Sequence, residues 1–208
     1  VIVTTICVDG NVSAMLYPDS ETLQAALAKY FKLNGLPSDG GVTDKWARYK
    51  IGPFQLVAFP NFQHRVRAIA RHDLHHIINN LDTSALGEGL IAAWELGSGC
   101  GPYWISWCME PQALWWGILL APKKTFALYL LGRHSQNLFH CSYDEALRLN
   151  SVGELRASLL PADSQFHPTL TDFLVFVAVA SMGLVLIALF IPTVFFFSVI
   201  GLAEKLFG

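Results

Sequence analysis

Charge is scarce in this chain. Only 14% of its 208 residues are Asp, Glu, Lys or Arg, where a soluble domain carries roughly 25%. A shortage of that size points to a membrane protein or to an unusually apolar surface. The net charge is −2, so there is no basic field for nucleic acid, and no nucleic-acid-binding signature appears. Cysteine is sparse as well. Cys7, Cys100, Cys108 and Cys141 show no paired spacing, so free thiols in a reducing compartment are expected rather than a disulfide framework. Internal repeats and low-complexity tracts are absent.

Charge is missing altogether from Phe173 to Ala203. As a helix this run reaches roughly 46 Å at about 1.5 Å per residue, more than the ~30 Å hydrocarbon core of a bilayer. Twenty of its residues are Leu, Ile, Val or Phe, which favour insertion by roughly −6 to −12 kcal/mol as an upper bound. A transmembrane anchor over 173–203 is therefore expected. Pro192 divides it, so either one helix is kinked there or a span is followed by an interfacial piece.

Upstream of the anchor, three regions are expected. Residues 1–63 read as a small ββαββ unit. Val1–Val8 and Asn11–Tyr17 are rich in β-branched residues around an Asp9-Gly10 turn. Ser20 is placed to cap a helix over Glu21–Leu33, and Trp46–Lys50 and Phe54–Phe59 read as strands around Gly52-Pro53. Residues 64–160 read as a mainly helical metal-binding domain, with helices over Arg71–Asn79, Ala85–Leu96, Lys123–Gly132 and two short later segments. Pro111–Pro122 reads as an apolar piece too short to span, hence a core helix or a membrane-dipping surface. Residues 161–172 read as a hinge. The fold class expected from this order is α+β, with a C-terminal transmembrane helix.

Chemistry concentrates at His72-Asp73-Leu74-His75-His76. Two imidazoles four apart lie about 40° from each other around a helix, so both can face one ion. Glu88 follows on the next expected helix. Leu86, Leu90, Ile91, Ala92, Ala93 and Trp94 make that helix apolar on nearly every side, with Glu88 and Glu95 as its charged stripe. A helix apolar all round is buried, and a carboxylate on it needs a partner. Histidines holding a cation would be such a partner. The expected metal set is His72, Asp73, His76 and Glu88, with Asp73 either a ligand or a support for an imidazole. The set requires the His76 ring to lie within about 8 Å of the Glu88 carboxylate.

Other chemistries use parts of this pattern. His75 extends it to the His-x-x-His-His box of membrane di-iron desaturases, which need several such boxes and several spans. His-Asp-x-x-His also resembles the zinc-protease motif, but aspartate in place of glutamate would misplace the base. A metal hydrolase would need a water-activating base such as Glu95. Arg65, Arg71 and Arg133 are candidates to hold an anionic ligand near the metal, and Glu95 is the fourth candidate ligand-binding residue.

His72-Asp73-Leu74-His75-His76 followed after eleven residues by Glu88 resembles the His-Asp-x-x-His-x(11)-Glu signature of the coenzyme Q biosynthesis protein 4 family. Gly87-Glu88, Ala93-Trp94-Glu95-Leu96 and Gly132-Arg133-His134 also look like bacterial members, and the similarity covers about residues 60–140. The resemblance implies a helical domain with one divalent metal, usually taken as zinc, bound by His72, Asp73, His76 and Glu88. It also implies a site for polyprenyl lipids and a role in ubiquinone assembly. That role combines organising the biosynthetic enzymes with replacing the ring C1 carboxyl by hydroxyl. Known members sit on the membrane periphery, whereas this chain carries its own apolar run, and the ββαββ start has no counterpart there. The expected protein is a membrane-anchored metal binder facing the cytoplasm. Its partners would be a polyprenyl quinone precursor, the bilayer and quinone-biosynthesis enzymes. The rival reading is a non-catalytic lipid-binding scaffold that docks those enzymes.

Overall fold

The computed structural model describes residues 16–51, 54–143, 151–162 and 166–207, with backbone alone for 46–51, 54–60 and 190–207. In chain order its elements are α1 (Leu23–Leu33), β1 (Trp46–Ile51), β2 (Phe54–Pro60), α2 (Gln63–Asn79), α3 (Ala85–Ser98), α4 (Trp104–Leu120), α5 (Pro122–Arg133), a 3-10 turn (Leu138–His140), α6 (Val152–Leu159) and α7 (Leu170–Phe207).

The protein is mainly helical, which corrects the expected α+β class. Its β structure among the described residues is one antiparallel hairpin, β1–β2. A two-stranded ribbon cannot form a layer with a core of its own, and both buried cores are helical. The expected strand Val1–Val8 and most of Asn11–Tyr17 fall outside the described residues. Tyr17 itself is buried, in a bend. β-branched composition marked these segments, but it measures fit to a pleated neighbour that composition alone cannot supply.

Helix ends follow local chemistry. Thr22, not Ser20, caps α1, its side chain accepting from the Ala25 N–H at 3.3 Å. Ser84 caps α3 by accepting from the Gly87 N–H at 3.1 Å. Helix α2 begins at Gln63, well before the expected Arg71, and ends at Asn80, whose φ of +53° turns the chain out of the helix. Helix α4 is longer than expected, seventeen residues with Pro111 inside it. Helix α7 likewise runs through Pro192 unbroken.

The larger core surrounds α3. Leu90 to Trp94 are buried there against Leu114 of α4 and Leu128 and Tyr129 of α5. Small residues let the backbones meet. A Cβ on Gly89 would lie 2.1 Å from the Gly117 amide nitrogen of α4, and one on Gly97 would lie 2.3 Å from the Tyr129 carbonyl of α5. The smaller core joins α1, the C-terminal half of α2 and α6 through Tyr30, Leu74, Ile77, Ile78 and Leu155. Helix α2 therefore has a core on each side, and its histidines lie between them. The Arg156 guanidinium locks the end of α2 by donating to the carbonyls of Ile77 and Ile78, each at 2.8 Å.

Residues Leu170–Leu189 of α7 form a stretch long and apolar enough to cross a membrane, and most of it is exposed. It leans on α4, where Trp115 Nε1 donates to the Ala180 carbonyl at 2.9 Å. Cys100, Cys108 and Cys141 are free thiols.

Candidate metal centre

His72 and His76 stand one helical turn apart on α2 and point the same way. Their Nε2 atoms are 3.2 Å apart. Glu88, in the first turn of α3, meets both. Its Oε2 is 3.4 Å from His72 Nε2 and its Oε1 is 3.5 Å from His76 Nε2. The distance the sequence reading required is met with a wide margin. Donors bound to a tetrahedral ion through bonds of about 2.0–2.1 Å sit about 3.3 Å from one another. Each imidazole Nε2 faces a different Glu88 oxygen at about that spacing, and two imidazoles with a carboxylate are a zinc-type donor set. His72, His76 and Glu88 thus fit a divalent ion.

Asp73 does not join that set. It lies near Tyr30 of α1, and its Oδ2 faces the loop at Gly40. Consecutive helical residues diverge by about 100°, so an acid next to a ligand faces a different neighbour. Burial pushes the Asp73 carboxyl up to about 6, against the pull of His72 and His76.

Behind the triangle lies Glu95, fully buried on α3. Its Oε1 meets His72 Nδ1 at 2.9 Å and His75 Nδ1 at 2.6 Å. The Leu138 N–H donates to His75 Nε2 at 3.0 Å. His75 Nε2 is therefore an acceptor, and its Nδ1–H donates to Glu95. His75 is a fixed neutral ring, packed edge-on against Trp94 and Phe139, and not a ligand. With Nδ1–H of His72 also directed at Glu95, His72 presents its Nε2 lone pair to the triangle, as in carboxylate–histidine–metal arrangements. Glu95 therefore orients the His72 ring from the side opposite Glu88.

The electrostatics follow from burial. Burial opposes charge on His72, but Glu95, Glu88 and Glu110 outweigh it and hold its proton well above the ordinary histidine range. Burial would raise Glu88, yet His72 and His76 keep it below the usual carboxylate range. Glu95 is likewise lowered, against burial, by His72 and His75. Glu110 goes the other way, raised by burial and by Glu95.

Glu110 was missed in the sequence reading. It sits on α4 with its Oε1 3.9 Å from His72 Nδ1. Its signal was present all the same. It is the lone charged residue of the seventeen in α4, and the argument that singled out Glu88 and Glu95 applies equally to it.

The expected basic residues separate. Arg71 donates to the Leu138 carbonyl at 2.9 Å and lies against the Tyr103 and Tyr143 rings. It lines a cleft of about 590 Å³ together with Leu27, Phe31, Val66, Arg67 and Asp73. Arg65 borders a narrow recess over His72 with Ile69 and Met109. Arg133 pairs with Asp172 at 3.2 Å, tying α5 to α7.

Comparison with protein-family models, with curated proteins and with solved structures finds no match in any of the three.

Proposed function

We propose that this chain is a membrane-anchored, zinc-binding protein that takes a polyprenylated aromatic acid, or a related lipid, beside its metal centre. The observation that carries this reading is the His72–His76–Glu88 triangle, with contacts of 3.2 to 3.5 Å. The resemblance to the coenzyme Q biosynthesis protein 4 family supports the choice of ligand class. Residues Leu170–Leu189 hold the protein in the bilayer, and the soluble part faces the cytoplasm.

The 590 Å³ cleft suits an amphiphile. Leu27, Phe31 and Val66 offer an apolar wall for a prenyl chain, and Arg67 and Arg71 offer positive charge to a ring carboxylate. Asp73 lines the cleft on the helix that carries His72 and His76, so the cleft lies beside the metal-bearing helix. Zinc would supply Lewis acidity toward an oxygen of the substrate. Glu95 keeps His72 in the metal-facing tautomer, and buried His75 holds Glu95 still. The reaction implied by the resemblance is an oxidative decarboxylation at ring C1: the carboxyl leaves as carbon dioxide, a hydroxyl takes its place, and the two electrons released go to an external oxidant such as dioxygen, since zinc has no redox chemistry.

A scaffold that docks quinone-biosynthesis enzymes is the second reading. It is favoured by the exposed Trp104, Trp116, Leu119 and Leu120 of α4. The test uses purified full-length protein and a prenylated hydroxybenzoate labelled at its carboxyl carbon. Release of labelled carbon dioxide by the wild type and not by His76→Ala supports the enzyme. Lipid that copurifies without any release supports the scaffold.

A further inference from the structure

The buried acids around His72 outnumber what one cation can neutralise. Glu88, Glu95 and Glu110 converge on His72, and the ion pairs these three make among the described residues are all with histidines. A divalent ion in the His72–His76–Glu88 triangle offsets two of these three carboxylates. The surplus lies on the far side of the His72 ring. There Glu95 and Glu110 sit together, the first fully buried and the second nearly so. Glu95 Oε2 is shut away from solvent and has no hydrogen-bond partner among the described residues. His72 Nδ1, one oxygen of Glu95 and one of Glu110 lie within 4.8 Å of one another. Adjacent buried carboxylates with an unpartnered oxygen need either a proton or a cation between them.

We propose that a second divalent cation sits between Glu95 and Glu110 on the Nδ1 side of His72, making the centre dinuclear. The donor sets differ, and so would the ions. The triangle offers two nitrogens and a carboxylate, a zinc-type set. The second site offers two carboxylates and at most one nitrogen, which favours a harder ion such as manganese. If His72 Nδ1 binds, the proton it now shares with Glu95 leaves to solvent. Glu95 Oε1 keeps His75 as a donor, and its free Oε2 turns to the cation. The proposal shares His72 with the zinc centre but has its own ligands.

The test is metal stoichiometry in detergent-purified full-length protein, stripped and then offered zinc and manganese together. One zinc and one manganese per chain are expected. Glu110→Gln should keep zinc and bind manganese at least roughly tenfold more weakly, and its retained zinc shows that the fold is intact. His76→Ala should lose zinc and keep manganese. A wild-type chain that holds a single zinc and no second metal ion overturns the second site and leaves Glu95 and Glu110 sharing a proton, whereas two zincs and no manganese uphold the second site and overturn only its preference for the harder ion. Manganese held equally by wild type and Glu110→Gln overturns it as well. A chain that binds manganese but no zinc overturns the zinc centre instead, and one that binds neither metal overturns both. The wild-type ratio decides the matter even if a variant fails to fold.

Discussion

Helices α3 and α7 are both apolar on nearly every side, yet they lie in opposite surroundings. Leu90 to Gly97 of α3 are buried throughout, whereas Leu174, Leu184, Val185 and Leu189 of α7 face outward. Two features separate them. Helix α3 brings Gly89 and Gly97 to its crossings with α4 and α5, so neighbouring backbones close over it on both sides. It also carries Glu88 and Glu95 into that enclosure, where histidines of α2 meet them. Helix α7 has no charged residue between Asp172 and Glu204, so it has nothing to pair and no need of protein on every side. In an apolar helix the informative residue is the charge, because a buried charge must have a partner.

The contrast breaks first at the glycines. Gly97→Val would drive a branched side chain into the Tyr129 carbonyl, and backbone cannot swing aside as a side chain can. The expected loss is about 3 kcal/mol or more in denaturant unfolding, or failure to fold. A variant as stable as wild type would mean that α3 is not clasped as described.

Removing metal should cost slightly less. A site filled at about a hundred times its Kd stabilises by about 2.7 kcal/mol, so chelation should lower Tm by about 5 to 10 °C in a chain of this size. The same treatment of His76→Ala should lower Tm by less than in wild type, since that variant has already lost a zinc ligand. Glu95→Gln sharpens the comparison further. The amide keeps the shape but weakens the hold on His72, and zinc affinity should fall about 10- to 100-fold with the protein still folded. Competition with a chromophoric chelator would measure it. Leu184→Ala on α7 should have the smallest effect, within about 0.5 kcal/mol for folding. A loss as large as that of a buried leucine would show this face to be covered by protein.

Much of the centre was legible because its geometry is local. The four-residue interval of His72 and His76 fixes their common face, and a short turn capped at Ser84 returns Glu88 to them. Asp73 was legible as a buried acid but not in its direction, because its neighbour Tyr30 is forty-three positions upstream (73 − 30) and no periodicity reports it. Glu110 arrives by the packing of α4 on α3, which is likewise non-local. The extent of α4 was misjudged because Pro111 reads as a boundary, since it lacks an N–H and crowds the preceding turn. Burial of Pro111 in the helical core tolerates it. The α+β class failed for a related reason. The hairpin β1–β2 was marked by its own turn, but whether further strands join it depends on partners far along the chain.

X-ray absorption at the zinc edge of the purified, zinc-loaded chain tests the central claim most directly. The account predicts nitrogen and oxygen neighbours at about 2.0–2.1 Å, with outer-shell scattering from two imidazoles, and in His76→Ala either no bound zinc or scattering reduced to one imidazole. Zinc without imidazole scattering, or a spectrum unchanged by that substitution, would contradict it.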